Sequence, residues 1–266
     1  MLQYSVSPAE TVLLFGAAVL GGAVNSVAGG GGFIAFPALL VTGMPSINAN
    51  ATNTVALWPG TVASTGAYRK ALSFKLLKQI MPLIIITFLG SIIGSYLLLH
   101  TRQSTFDKLV PWLLLGATTL FSFGTRITRW VIRHHTEGGP STWRVVGVTT
   151  LQACAAIYIG YFGAGAGIVM LALLAVMGLE NIHSMNGLKT LLATCGNFVA
   201  AVMFIFAHAV YWPQALLMVF GSVLGGYASA WYAQKLAPTK IRAIVMVVGF
   251  SMTAYFFWRV YFHGKI

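Results

Sequence analysis

The stretch that decides the fold is VAGGGGFIAFPALLVTG, residues 27–43, in which four consecutive glycines precede a short apolar run. The run from Phe33 to Gly43 rises only about 16 Å at 1.5 Å per residue, whereas a helix needs about 20 residues to span a bilayer. Four glycines in a row are costly inside a helix. The sequence therefore predicts a break in the chain's first helix, followed by a helix too short to cross a membrane alone.

A second stretch, GYFGAGAGIVMLALLAVMG at residues 160–178, repeats this pattern. One ungapped shift of 135 residues aligns the two, placing Gly30 on Gly165, Gly32 on Gly167 and Gly43 on Gly178. The same shift keeps the flanking apolar segments aligned. We therefore interpret the chain as an internal duplication with one short helix in each half.

The composition requires a bilayer as the solvent. Of the 266 residues 58% are hydrophobic and 8% are charged, and the mean hydropathy is +0.81; a soluble domain carries about 25% charged residues. Because an unpaired backbone cannot face lipid, every apolar segment is expected to be helical. The segments are 11–28, 33–43, 49–66, 79–99, 109–124, 145–162, 164–178, 185–207, 213–233 and 243–262.

The basic residues orient these segments. The net charge is +12, which in a soluble protein would point to nucleic acid. In a membrane protein, lysine and arginine gather in cytoplasmic loops, and we expect no nucleic-acid partner. The loops 67–78, 125–144 and 234–242 hold 11 of the 16 lysines and arginines and are therefore placed in the cytoplasm.

The charges also predict that the two halves are inverted. By the 135-residue shift, the basic loop 67–78 corresponds to residues 202–213, which contain no lysine or arginine. The predicted fold class is thus an all-α polytopic membrane protein with two inverted-topology repeats and broken or re-entrant short helices. The repeats are residues 1–124 and 143–266, joined by a basic cytoplasmic linker, 125–142. Such repeats are typical of secondary transporters, which bind their substrate at the repeat interface.

Both glycine clusters are candidate anion sites. A broken helix presents free N–H groups and a partial positive charge at its start; the alternative is close helix packing through small residues. A polar stretch follows each short segment, and polar side chains inside a membrane usually face a cavity or another helix. The predicted substrate-binding residues are Asn25, Gly29, Gly30, Gly31, Gly32, Asn50, Asn53, Thr54, Gly163, Gly165, Gly167, Asn186, Lys189, Thr190 and Asn197.

Lys189 is the most specific single prediction. A cation inside the membrane is costly and, without an acidic partner, favours an anionic ligand. The alternatives are that its ammonium reaches the membrane interface or pairs with Glu180. Glu180 and His183, between the two elements, are candidates to carry a coupling proton. No metal site, cofactor or Walker-type ATP-binding sequence is expected.

The order of these motifs resembles that of a known family. The first half contains GGFIAFPALL and ATNTVAL, and the second half contains GYFGAGAGIVMLALL and NGLKTLLATCGNFVAAVMF. These motifs are similar to those of the sulfite exporter TauE/SafE family, and the resemblance covers essentially the whole chain. This resemblance implies secondary transport of sulfite, sulfonates or related sulfur-containing or carboxylate anions in a bacterial inner membrane. The expected partners are a small anion and membrane lipid, with homo-oligomer formation left open. The alternatives are a passive anion channel and, less favoured, a membrane-embedded enzyme.

The charge pattern yields a topology prediction. Because each half crosses the membrane an odd number of times, both termini should lie outside the cytoplasm. A C-terminal fusion to a reporter that is active only in the cytoplasm should give no signal, whereas a fusion in the 67–78 loop should give one. A strong signal from the C-terminal fusion would contradict both the orientation and the inversion.

Overall fold

The computed structural model describes residues 7–133, 142–179, 181–232 and 238–262, and every element within these ranges is helical. Each of the ten apolar segments predicted from the sequence corresponds to one helix. The helices are α1 (Pro8–Ala28), α2 (Gly32–Val41), α3 (Ser46–Ala67), α4 (Phe74–His100), α5 (Gln103–Arg133), α6 (Thr142–Tyr161), α7 (Ala166–Val176), α8 (Ile182–Phe206), α9 (Trp212–Tyr232) and α10 (Pro238–Phe262), with a 3-10 turn, Arg69–Ala71, between α3 and α4.

The predicted class, an all-helical polytopic membrane protein, is confirmed. By length and hydropathy alone, the described segments Pro8–Ser26, Phe74–His100 and His183–Phe206 are long and apolar enough to cross a bilayer. The helix α5 is longer than its predicted apolar segment, 109–124, and continues into the predicted linker as far as Arg133. Hydropathy marks only the part of a helix that faces lipid, so polar turns at its ends are missed. The remaining linker residues, 134–141, lie outside the described ranges.

A left-handed glycine turns the chain back after α1. Gly29 caps the helix with φ 73°, and its N–H donates to the carbonyl of Asn25. Residues that carry a side chain rarely adopt this backbone conformation, which is why glycine is favoured there. The following helix then runs back along α1, since a Cβ atom added to Gly31 would overlap the carbonyl oxygen of Gly21. We call α1–α2 the first helical hairpin.

The second helical hairpin, α6–α7, is built in the same way. Gly163 and Gly165 both have φ 78° in the turn between its helices. The hydroxyl of Tyr158 donates a 2.7 Å hydrogen bond to the carbonyl of Ala164 and so fixes the turn from within α6. Both short helices therefore begin at a turn inside the protein.

The tips of the two hairpins meet. A Cβ atom added to Gly29 would lie 2.9 Å from the Cα of Gly167, and one added to Gly32 would lie 3.4 Å from the Cβ of Ala164. The 135-residue shift exchanges these two contacts, because it converts Gly29 into Ala164 and Gly32 into Gly167. The glycine clusters thus allow two backbones to approach where the halves of the chain join.

Each half of the chain also packs one of its helices against the hairpin of the other half. The first hairpin packs beside α9 from the second half, with Val19 against Gly225 and the Ser229 hydroxyl donating to the Ala23 carbonyl. The second hairpin packs in the corresponding way beside α4 from the first half, where Gly94 lies against Ile157. Each hairpin therefore depends on a helix that belongs to the other half.

The central helices α3 and α8 run antiparallel. The Ser184 hydroxyl, near the start of α8, donates to the carbonyl of Ala71, just beyond the end of α3. At the other end, the Asn48 amide near the start of α3 donates to the carbonyl of Ala209, just beyond the end of α8. Because the 135-residue shift relates α3 to α8, the corresponding helices of the two halves point in opposite directions here.

The interface between α1 and α9 gives a stability prediction. Gly225→Ala should lower the melting temperature of the purified protein, because the added methyl group would overlap the Val19 carbonyl and such overpacking typically costs about 1–3 kcal/mol. Gly16→Ala, on the same helix as Val19, is the matched control because a Cβ there meets nothing within 4 Å. Equal melting temperatures for the two variants would contradict this packing.

Candidate substrate-binding site

A small cavity lies at the meeting point of the hairpin tips. Its volume is about 30 Å³, which is space for one or two water molecules or a small anion stripped of water. Five helices contribute to its wall, so the cavity belongs to neither half alone. The residues that line it are Asn25, Gly29, Thr61, Ile159, Gly163, Ala166, Gly167, Lys189, Thr190, Ala193 and Asn197.

Lys189 places a positive charge in this wall. Its side chain is 1% exposed and runs beside Gly167, whose added Cβ would lie 3.2 Å from the lysine Cδ. The ammonium donates to the carbonyl of Ser26 at 3.5 Å. Among the described residues it has no carboxylate partner.

The burial of Lys189 argues against an ammonium that reaches the membrane interface. Its nitrogen lies instead beside the last turn of α1, where the helix dipole favours a cation. A single long hydrogen bond to a neutral carbonyl compensates poorly for removing an ammonium from water. An anion in the cavity would supply the missing opposite charge. Glu180, the alternative partner named from the sequence, lies outside the described residues.

Neutral hydrogen-bond donors surround the same cavity. Asn25 and Asn197 line it, and within the described ranges neither side-chain amide has a protein partner. Gly167 lies in the first turn of α7, where N–H groups have no carbonyl of their own helix to bond. Amide groups and a helix start together suit an oxyanion.

Two hydroxyls in the wall already donate their protons to backbone carbonyls. Thr190 donates to the carbonyls of Asn186 and Gly187, and Thr61 donates to the carbonyl of Trp58. A hydroxyl has one proton to donate. In this conformation both threonines therefore present oxygen lone pairs, rather than a donor, to a ligand.

The structure brings seven of the fifteen predicted site residues together in the cavity wall: Asn25, Gly29, Gly163, Gly167, Lys189, Thr190 and Asn197. The others lie outside it. For several glycines the surroundings match the packing alternative, since a Cβ on Gly30 would lie 2.9 Å from the Phe121 ring and one on Gly165 would lie 3.3 Å from the Ala117 carbonyl. The remaining predicted residues outside the wall are Gly31, Gly32, Asn50, Asn53, Thr54 and Asn186.

Four lining residues were not among the predicted ones. Ile159, Ala166 and Ala193 are apolar and carry no signal that separates them from other membrane-buried residues. Thr61 does carry one, because it lies seven residues, or two helical turns, after Thr54 and so on the same face of α3. Extending the polar face of α3 by this spacing would have identified it.

His183, one of the two candidates for proton coupling, lies outside the cavity wall. His183 is exposed, and its backbone N–H donates to the Asn181 side chain at the start of α8. Glu180 is not among the described residues. Within the described ranges, no three histidine, cysteine, aspartate or glutamate side chains lie together in a way that could hold a metal ion.

Comparison with known proteins indicates a membrane transporter. The family described as "Sulfite exporter TauE/SafE" matches residues 14–256. A "Probable membrane transporter protein" of Haemophilus influenzae is 27% identical over 91% of this chain and 92% of its own length. The "Probable membrane transporter protein YfcA" of Escherichia coli is 27% identical over 94% and 91%, and the "Probable membrane transporter protein ORF9" of a Sinorhizobium species is 28% identical over 90% and 89%.

No solved structure matches the chain. The family match covers nearly the whole sequence, including both glycine clusters and every residue of the cavity wall. These relatives are named as transporters rather than enzymes. The chain is a membrane transporter that belongs to the sulfite exporter TauE/SafE family.

Proposed function

We propose that the protein is a secondary transporter that moves a small anion across the bacterial inner membrane. The substrate class is sulfite, an organosulfonate or a related sulfur-containing or carboxylate anion. The cavity at the hairpin tips is the binding site. Transport is driven by an ion gradient or by the gradient of the substrate itself.

The observation that carries this proposal is the buried ammonium of Lys189. It lines the cavity, is 1% exposed and has only the Ser26 carbonyl as a hydrogen-bond partner among the described residues. Buried charges in membranes occur where a partner or a ligand compensates them. A small oxyanion would neutralise the ammonium and accept hydrogen bonds from Asn25, Asn197 and the start of α7.

The arrangement of helices supports alternating access by two inverted repeats. Helices α3 and α8 correspond by the 135-residue shift, run antiparallel and both line the cavity. The start of α8 contacts Ala71 in the basic 67–78 loop, which the charge pattern places in the cytoplasm. In this orientation the first hairpin enters from outside, the second from the cytoplasm, and both termini lie outside.

Removing the charge of Lys189 tests the binding site. Lys189→Ala should weaken binding of sulfite, or of whichever sulfonate or carboxylate the wild-type protein binds, by more than tenfold. A tenfold loss corresponds to about 1.4 kcal/mol, which exceeds the roughly 1 kcal/mol of an ordinary neutral hydrogen bond. Lys189→Arg should keep part of the affinity because the charge remains on a head group of different shape. Affinity can be measured by calorimetry or by ligand-dependent thermal shift.

The exposed Lys75 provides the control for this experiment. Lys75→Ala removes the same charge from the exposed first turn of α4 and should leave affinity unchanged. Lys189→Ala could instead keep its affinity but have a lower melting temperature, with the double variant that adds Glu180→Gln regaining the lost stability. That result would show that the lysine is structural and would overturn its ligand role.

Counterflow separates a carrier from the competing function, a passive anion channel. Proteoliposomes preloaded with unlabelled substrate should accumulate external labelled substrate transiently, because a carrier exchanges one bound molecule for another. Equal uptake with and without preloading would favour the channel instead.

A further inference from the structure

Two buried amides of α3 have side-chain oxygen atoms without a partner among the described residues. Asn50 is 1% exposed and Asn53 is 6% exposed, and within those ranges neither oxygen accepts a hydrogen bond. They are three residues apart and so lie on neighbouring positions of one helix face. Buried side-chain acceptors are normally paired. Two acceptor oxygens without partners on one helix face therefore indicate a missing partner that is positively charged or donates hydrogen bonds.

Both amides face the end of α6 and the hairpin tips. The Asn50 nitrogen donates a 3.0 Å hydrogen bond to the carbonyl of Tyr161, the last residue of α6. The Asn53 nitrogen would lie 3.6 Å from a Cβ added to Gly32, which in turn contacts Ala164. The carboxyl end of a helix carries a partial negative charge. The surroundings of the two amides thus favour a cation.

The duplication shows what occupies the equivalent place in the other half. The 135-residue shift converts Tyr161 into Ser26, and the Ser26 carbonyl accepts a hydrogen bond from the ammonium of Lys189. At Tyr161 the donor is the neutral amide of Asn50. Thr54, which corresponds to Lys189, turns its hydroxyl back to its own helix at the Asn50 carbonyl. One helix end therefore has a fixed cation and its counterpart has none.

The side-chain oxygen atoms at the two corresponding pairs of positions are distributed the other way, with oxygens in α3 and none in α8. The positions in α8 that correspond to Asn50 and Asn53 are Met185 and Leu188, both 0% exposed and both without a side-chain oxygen. At the end of α1, the built-in ammonium is thus accompanied by apolar side chains at the two α8 positions where α3 has amides. The end of α6 combines two free amide oxygens with no built-in charge.

We propose that Asn50 and Asn53, together with the carboxyl end of α6, bind a monovalent cation of the size of sodium. The ion takes the place that the Lys189 ammonium holds at the end of α1. Hard cations prefer oxygen ligands, and the carboxyl ends of interrupted helices are common sites for coupling ions in transporters. A coupling role for this ion rests on the proposed function, with the cation and the anion bound on opposite sides of the hairpin tips.

Ion replacement tests the site without any substrate present. The melting temperature of the purified protein should rise saturably in sodium chloride, relative to potassium chloride or N-methyl-D-glucamine chloride at the same ionic strength, because the ion binds only the folded site. Asn53→Leu, which introduces the residue found at the corresponding position 188, should abolish this rise. The matched control is Asn48→Ala, which removes an amide of the same helix bonded to Ala209 and should keep the rise.

A substitution that supplies the charge gives a second, independent test. Thr54→Lys places an ammonium at the position that corresponds to Lys189, and its melting temperature should no longer respond to sodium. The Asn53→Leu comparison stands whether or not this variant folds. The absence of a sodium-specific shift in the wild-type protein, or its persistence in Asn53→Leu, would overturn the proposal. A sodium shift in a protein that binds no anion would instead leave the cation site standing and overturn the proposed substrate class.

Discussion

The contact between the two hairpin tips is the constraint on which the rest of the structure depends. Gly29 and Gly167 bring two backbones so close that a side chain on either would collide with the other. This approach leaves two helices ending and two helices beginning at one point within the protein. Charged and polar groups can be placed there because the free N–H and carbonyl groups at these helix ends offer hydrogen bonds that lipid cannot.

The internal duplication inferred from the 135-residue shift would explain why the two sides of this contact differ in chemistry but share one backbone arrangement. Each half supplies a hairpin and a polar helix beside it. The second half carries Lys189 where the first has Thr54, and the first carries Asn50 where the second has Met185. An early gene duplication would have produced two identical sites. At the two proposed sites, divergence at a few buried positions is what would make one prefer negative and the other positive ligands.

Much of the fold could be predicted from the sequence, because a bilayer restricts the backbone to helices and hydropathy marks each of them. The glycine clusters also marked both helix breaks, but the sequence left open whether the short helices turn back or span the membrane. The function of each glycine could not be predicted, since Gly29 lines the cavity whereas the neighbouring Gly30 packs on Phe121. That difference depends on which neighbour a side chain at each of these positions would point towards. The polar face of α3 was recognised, and its spacing extends to Thr61, but only tertiary contacts show that Asn50 lies outside the wall of the cavity beside Lys189.

The exchange of α4 and α9 between the halves has a consequence for biogenesis. The face of α1 formed by Val19 and Ala23 packs on α9, which begins at Trp212. At about 5–20 residues per second, the ribosome needs roughly 10 to 40 s to make the intervening chain. During that time the small-residue face of α1 has only lipid or the insertion machinery beside it. The first half of the chain therefore inserts as an incomplete bundle, and its assembly must wait until the second half has been translated.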